Sequence, residues 1–299
     1  MNKIAFTTIL VMLLWALCYP LITLSLPFSP PMLTAFFRAV ISGGLLIVIA
    51  LLMKRQLPHS FKQWMFITFI GFTATSIGFW GMFYASTLVS PGLATVLTNT
   101  QPLIAAVIGW YALKEKLNRN TILAIMFGFV GIVIISNGSA ALVNNNDMMI
   151  GFLYIFSASF GIAVSNVLLK ILANKADIFY AMGFQLLIGS IPLGLISFHQ
   201  NDFLLLNWSY SFTWIVTAIA VFGTALPFIL WFWLMDKAPL YQLNIFSFLS
   251  PVFGLTIGYI YFSETLTMMQ WIGVLVVGGA ILIVTNSEDS VSNSDKEKQ

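Results

Sequence analysis

Two stripes of residues carry most of the chemistry this sequence can do. At intervals of three and four stand Thr95, Thr98, Pro102, Ala105 and Gly109, and in the same way Asn244, Ser247, Pro251, Gly254 and Gly258. On a helix each set shares one face, and every member is small, polar or proline. The chemistry on offer is reversible hydrogen bonding: hydroxyls and amides supply donors and acceptors. Each proline also deprives the carbonyl four residues back, that of Thr98 or Ser247, of its helical donor. A carbonyl so freed inside an apolar medium needs a hydroxyl, a water or a solute as partner. Asn99 and Gln101 flank the first stripe.

Three further groups belong with these. Arg38 is the one basic residue well inside an apolar run. It lies about 9 Å from the outer end of that run by helical rise, so three fates are open to it: snorkelling to the interface, an interhelical bond to a carbonyl, or contact with a carboxylate-bearing solute. Gln185 holds a comparable place in a later run, on a stripe with Gly189 and Pro192. Aromatic pairs share faces at Trp15 with Tyr19 and at Trp80 with Tyr84, and Trp231 lies deep in its own run. Such residues serve as belt or core in most membrane proteins, or line a cavity for apolar solutes. We therefore take Trp15, Tyr19, Arg38, Trp80, Tyr84, Thr95, Thr98, Asn99, Gln185, Trp231, Asn244 and Ser247 as candidate substrate-binding residues, and Pro102 and Pro251 as hinges. Asn166 and Lys170 share a face close to the end of their run and read as an entrance or lipid-headgroup feature.

Groups able to make or break bonds are missing from these runs. No Asp or Glu lies in an apolar run away from its ends, His59 and His199 fall between runs, and Cys18 is the sole cysteine. No glycine-rich phosphate loop, nucleophile with base, or metal-ligand cluster is recognisable by spacing. Catalysis is therefore not expected, and neither a cofactor nor a metal is implied.

The elements that position the stripes follow from composition. Of 299 residues 59% are hydrophobic and 8% charged, with mean hydropathy +0.94. Those values lie far outside the range of water-soluble domains. A helix needs about 20 apolar residues to cross the hydrocarbon core, and ten such runs are legible: 4–24, 32–53, 64–85, 91–113, 120–136, 149–171, 178–198, 211–235, 240–262 and 267–285. They are too long for barrel strands, so the expected fold is an all-α integral membrane protein. Residues 287–299 are polar and Ser-rich, and are expected to form a disordered tail. The start of the chain resembles a signal peptide, but bulky Leu17 before Cys18 argues for an uncleaved first helix.

With the N-terminus in the cytoplasm and the runs alternating, twelve of the thirteen Lys and Arg residues fall on the cytoplasmic side; Arg38 is the exception. The positive-inside rule thus favours ten helices with both termini cytoplasmic, in the cell's inner membrane. A shift of 149 residues lays Pro102 on Pro251, Gly109 on Gly258, Glu115 on Glu264 and Leu117 on Leu266. We read residues 1–140 and 148–286 as copies of one five-helix unit. An odd number of crossings turns the second copy upside down, which is an architecture of alternating-access carriers. Glu115 and Glu264 then mark helix ends on opposite sides, where pairing with charged neighbours is expected.

At these residues the sequence resembles the drug/metabolite transporter superfamily, in particular its ten-helix EamA-type members. Trp15 with Ala16, the run Phe36, Phe37, Arg38, Ala39, and the repeated pattern of proline, glycine and glutamate carry the likeness. The resemblance implies a secondary transporter with a central cavity that exports small organic metabolites, amino acids or related compounds. Its partners would be a small-molecule substrate and the lipid bilayer, with no nucleic acid, and a monomer suffices. Small multidrug relatives place a glutamate in the first helix, whereas residues 4–24 here contain no acidic group, which argues against proton-coupled export of cationic drugs. Two alternatives stay open: an importer or exchanger of a sugar or nucleotide, and a non-transporting membrane scaffold.

Overall fold

A computed structural model describes residues 3–114, 119–139, 145–240, 243, 246–247, 249–263, 267–276 and 279. Among them every regular element is helical. Helices α1 (Lys3–Ala16) and α2 (Cys18–Ser25) form one broken rod. The break follows from Pro20, whose ring nitrogen has no hydrogen for the Ala16 carbonyl. Helix α3 (Pro31–Leu52) starts on a proline, where the missing N–H costs nothing.

Helix α4 (Phe61–Ile70) opens with a capping box, Ser60 Oγ accepting from the Gln63 amide while the Gln63 side chain accepts in return. It widens into a π-helical stretch, Gly71–Ile77, and resumes as α5 (Gly78–Ala85). The same plan recurs later. Helix α11 (Tyr210–Ala220) is capped by Ser209, widens at Val221–Ala225 and resumes as α12 (Leu226–Lys237). Between them come α6 (Pro91–Thr98), α7 (Gln101–Leu113), α8 (Arg119–Ser139), α9 (Asn145–Leu172) and α10 (Ile178–His199), the last capped by Asp177. A further helix covers Leu249–Phe262, and residues 268–276 are helical as well.

Among the described residues six helices are long and apolar enough to cross a membrane: Lys3–Ser25, Pro31–Leu52, Phe61–Ala85, Met149–Leu172, Ile178–His199 and Tyr210–Lys237. The single helix expected over 91–113 is instead two, separated by a turn at Asn99 and Thr100. Pro102 stands in the first turn of α7, not at a kink inside a continuous helix, and Pro251 is the third residue of its own helix. Both therefore occupy helix starts, the positions where a missing N–H is tolerated. Glu115, Glu264, Asn244 and residues 287–299 lie outside the described residues.

The packing that holds the centre relies on close backbone approach. Helix α3 crosses α10 at Gly43 and Gly183: a Cβ on Gly43 would stand 2.9 Å from the Gly183 carbonyl oxygen. Helix α10 also meets the Gly71–Ile77 stretch, where a Cβ on Gly71 would stand 2.5 Å from the Gln185 carbonyl oxygen. Glycine contacts of this kind let dispersion and carbonyl contacts replace the hydrophobic drive that lipid cannot supply. They also set Arg38 on α3 and Gln185 on α10 deep in the bundle.

Candidate functional site

One cavity opens at this centre, with about 930 Å³ of space between protein atoms, its mouth included. Nine of the candidate binding residues line it: Trp15, Tyr19, Arg38, Thr95, Thr98, Asn99, Gln185, Trp231 and Ser247. Trp80 and Tyr84 stand elsewhere, packed with Tyr154 at ring distances of 4.9 and 5.2 Å. Tyr84 there exchanges hydrogen bonds with Gln200.

Arg38 does not snorkel. Only 1% of its surface is exposed, because a joint in the opposite helix holds it. Pro227 cannot donate to the carbonyl four residues back, which belongs to Gly223. Arg38 Nη2 donates to that oxygen at 3.1 Å and Cys18 Sγ does so at 3.3 Å. Arg38 Nε donates to Thr224 Oγ1 at 2.7 Å, and the Thr224 hydroxyl in turn donates to the Ile219 carbonyl, five residues back along the π-helical stretch. The guanidinium lies over the Phe79 ring, 4.1 Å from its centre, a favourable cation–π placement. Gln185 sits in the matching joint, its Oε1 accepting from Thr75 Oγ1 at 2.8 Å.

The proline-flanked stripe forms another part of the wall. Thr98 Oγ1 donates to the Ala94 carbonyl at 2.8 Å, so its lone pair is left to accept from the Tyr19 hydroxyl at 2.7 Å. Thr95 and Asn99 turn their donors to the carbonyls of Pro91 and Thr95. The Thr98 carbonyl accepts from Ser159 Oγ at 3.3 Å, and the Ser247 carbonyl from the Ser250 amide at 2.9 Å. The polar atoms freed by the prolines are thus held within the protein. Gly254 brings its helix against α6, where an added Cβ would stand 2.5 Å from Thr95 Cγ2.

Aromatic side chains close the other side. Trp15 packs on Trp231 at 5.0 Å and edge-on to Phe228 at 6.3 Å. Trp231 Nε1 donates to Asn166 Oδ1 at 3.0 Å. Asn166 is therefore a wall residue of the cavity, not an entrance feature, since one more helical turn separates it from the end of α9. Lys170, a turn further on, donates to the carbonyls of Met235 and Ala238 at the end of α12, so it caps a helix and does not face headgroups. Among the described residues no three His, Cys, Asp or Glu side chains gather as a metal site.

Comparison with known proteins agrees with this picture. The model of the EamA-like transporter family matches residues 2–137 and 149–286. The chain is 26% identical over 275 residues to the uncharacterized transporter YvbV of Bacillus subtilis, covering 91% of this chain and 88% of that protein. It is 23% identical over 300 residues to a probable amino-acid metabolite efflux pump of Salmonella typhimurium, covering 94% of each. A solved crystal structure superposes with a TM-score of 0.77 at 17% identity, over 97% of this chain and 98% of that one, which speaks for the fold. With a transporter family model matched along nearly its whole length and a membrane-type helical bundle enclosing a cavity lined from both halves of the chain, the chain belongs to the EamA-like transporter family.

Proposed function

We propose that the protein is a ten-helix secondary transporter, built of two inverted five-helix repeats, that exports small organic metabolites, amino acids or related compounds, across the cytoplasmic membrane by alternating access. The observation that carries this reading is the shared cavity. Trp15, Tyr19, Arg38 and Thr98 come to it from the first half of the chain, and Asn166, Gln185, Trp231 and Ser247 from the second. A site lined by both halves is exposed to one side or the other as they rock against each other.

Paired backbone features support the repeat. Helices α3 and α10 both have 22 residues and start 147 positions apart. Each is followed by a left-handed residue, Lys54 and Asn201, again 147 apart, and Lys114 and Ser263, 149 apart, are left-handed as well. The π-helical stretches at 71–77 and 221–225 fit the same shift. The lysine and arginine distribution favours both termini in the cytoplasm. In this reading Pro102 and Pro251 mark hinges, Glu115 and Glu264 mark helix ends on opposite faces, and Asn244 joins the cavity wall beside Ser247.

The test is flux in proteoliposomes preloaded with amino acids and related metabolites. Export predicts saturable movement of at least one solute from the cytoplasmic to the outer side, lost on reconstitution of Thr98→Trp. Net inward movement of a sugar or nucleotide instead would replace export by import. No flux and no binding across the panel would sink transport and favour a scaffold.

A further inference from the structure

We propose that the solute is an organic anion whose carboxylate docks on Arg38, with Asn166 donating to a second acceptor on the same molecule. This rests on the cavity being the transport site. Arginine presents five N–H donors and stays charged at any physiological pH. The Nε donor is used by Thr224, and Nη2 is used by Gly223 and Cys18. Nη1, with two donors, has no partner although the residue is 99% buried. Asn166 has the same history: its oxygen accepts from Trp231, while its Nδ2 has no partner at 3% exposure.

Both residues line this cavity, so the unused donors lie within its immediate surroundings. Buried donors of this kind are rare, because each costs the desolvation it is not repaid for. The charge balance points the same way. Among the described residues lining the cavity Arg38 carries a positive charge and no side chain is Asp or Glu, so the guanidinium has no counter-ion of its own. Neighbouring hydroxyls and carbonyls spread that charge without neutralising it. A bound carboxylate supplies both the missing charge and the acceptors for Nη1, in the charge-assisted geometry arginine favours.

The remainder of the wall says what the anion is attached to. Trp15, Trp231, Phe228 and Met182 offer apolar and aromatic surface, which suits an aryl or alkyl body. A carbonyl or hydroxyl on that body would accept from Asn166 Nδ2. Among the described residues the wall holds no carboxylate for an ammonium group, so a monocarboxylic acid fits it better than a cation of the same size.

Calorimetry on the purified full chain tests this with acetate, phenylacetate and indole-3-acetate, each against its neutral amide. The expected result is at least one acid binding about tenfold or more tightly than its amide, the scale of a hydrogen bond to a charged partner. That preference should disappear in Arg38→Gln and survive in Arg38→Lys, which keeps the charge if the glutamine variant folds poorly. Asn166→Leu should weaken indole-3-acetate less than Arg38→Gln does. If no acid outbinds its amide, or if the preference persists in a folded Arg38→Gln, the anion assignment is overturned. The transport reading fails separately, only if the wider metabolite panel also yields no flux.

Discussion

Arg38 Nε donates to Thr224 Oγ1 at 2.7 Å and so ties a buried cation on α3 to the π-helical stretch after α11. A neutral joint links Gln185 on α10 to Thr75 in the other π-helical stretch at 2.8 Å. Arg38 and Gln185 are 147 positions apart, and Thr75 and Thr224 are 149 apart. The two joints differ in charge and in the sense of the bond: Arg38 donates to Thr224, whereas Gln185 accepts from Thr75.

The charge difference predicts unequal costs. Thr224→Val keeps the shape but leaves a donor of a buried guanidinium unpaired, a loss of about 1.5–3 kcal/mol for a hydrogen bond to a charged group. Thr75→Val breaks a neutral bond and should cost about 1 kcal/mol. Chemical unfolding of the two variants in the same detergent measures both. Equal destabilisation would mean that the Arg38 charge is satisfied by its other partners.

Close packing at the glycines makes a second comparison. A methyl on Gly71 would press on the backbone of α10 at Gln185, and backbone cannot step aside as a flexible side chain does. Gly71→Ala should therefore cost about 1–3 kcal/mol, and should reduce flux by displacing the helix that carries Gln185. Gly44→Ala is the control: nothing lies within 4 Å of the added carbon, so it should be neutral or stabilise by up to about 1 kcal/mol. Thermal stability and flux measured side by side separate the packing effect from helix propensity.

What the sequence made legible follows from what lipid does to pattern. Composition and run length were enough for a helical membrane protein, and the small and polar stripe through Thr95 and Thr98 was legible because such a face gains nothing from lipid. Gln185 was legible as a counterpart of Arg38 through comparable places in runs of similar length. Rotation about each helix axis was harder to read, because runs apolar on all sides carry little directional signal. Trp80 and Tyr84 share a face, yet that face is turned towards Tyr154 on α9. The sequence reveals only the depth of Asn166, and its direction depends on where Trp231 stands. The break at Pro20 and the two π-helical stretches involve single residues whose effect depends on which carbonyl finds another donor, and only packing decides that.

Cys18 offers a direct view of the cavity, because the natural chain is already a single-cysteine protein. Its sulfur is buried, lines the cavity and lies 3.4 Å from Arg38 Nη2. Alkylation by N-ethylmaleimide should be slow, and should require the cavity to open. A transported solute should slow it further, by about tenfold at ten times its dissociation constant, from simple competition. Labelling at a rate unaffected by any transported solute would place the solute elsewhere. Mass spectrometry of the Cys18 peptide provides the readout.

Asp202 sits outside the spans, in the short Asp202–Leu205 turn after α10, and is almost fully buried there, its Oδ2 without a partner. Burial pushes its carboxyl above the ordinary value of 3.8, and the nearby Ser197 hydroxyl offsets part of that rise. The folded chain therefore binds this proton more tightly than the unfolded chain does. Below the ordinary carboxyl range both states hold the proton, and burying the neutral acid costs the least. As pH climbs from the ordinary carboxyl range through the raised folded value the carboxyl ionises at the expense of stability, and the penalty grows until that value is passed. Asp202→Asn removes the titration while keeping the shape. It should raise the unfolding midpoint at pH 7, and the gain should shrink towards zero as the pH is lowered to 4. A midpoint that falls at pH 7 would mean that the ionised carboxylate has a partner worth more than its burial costs.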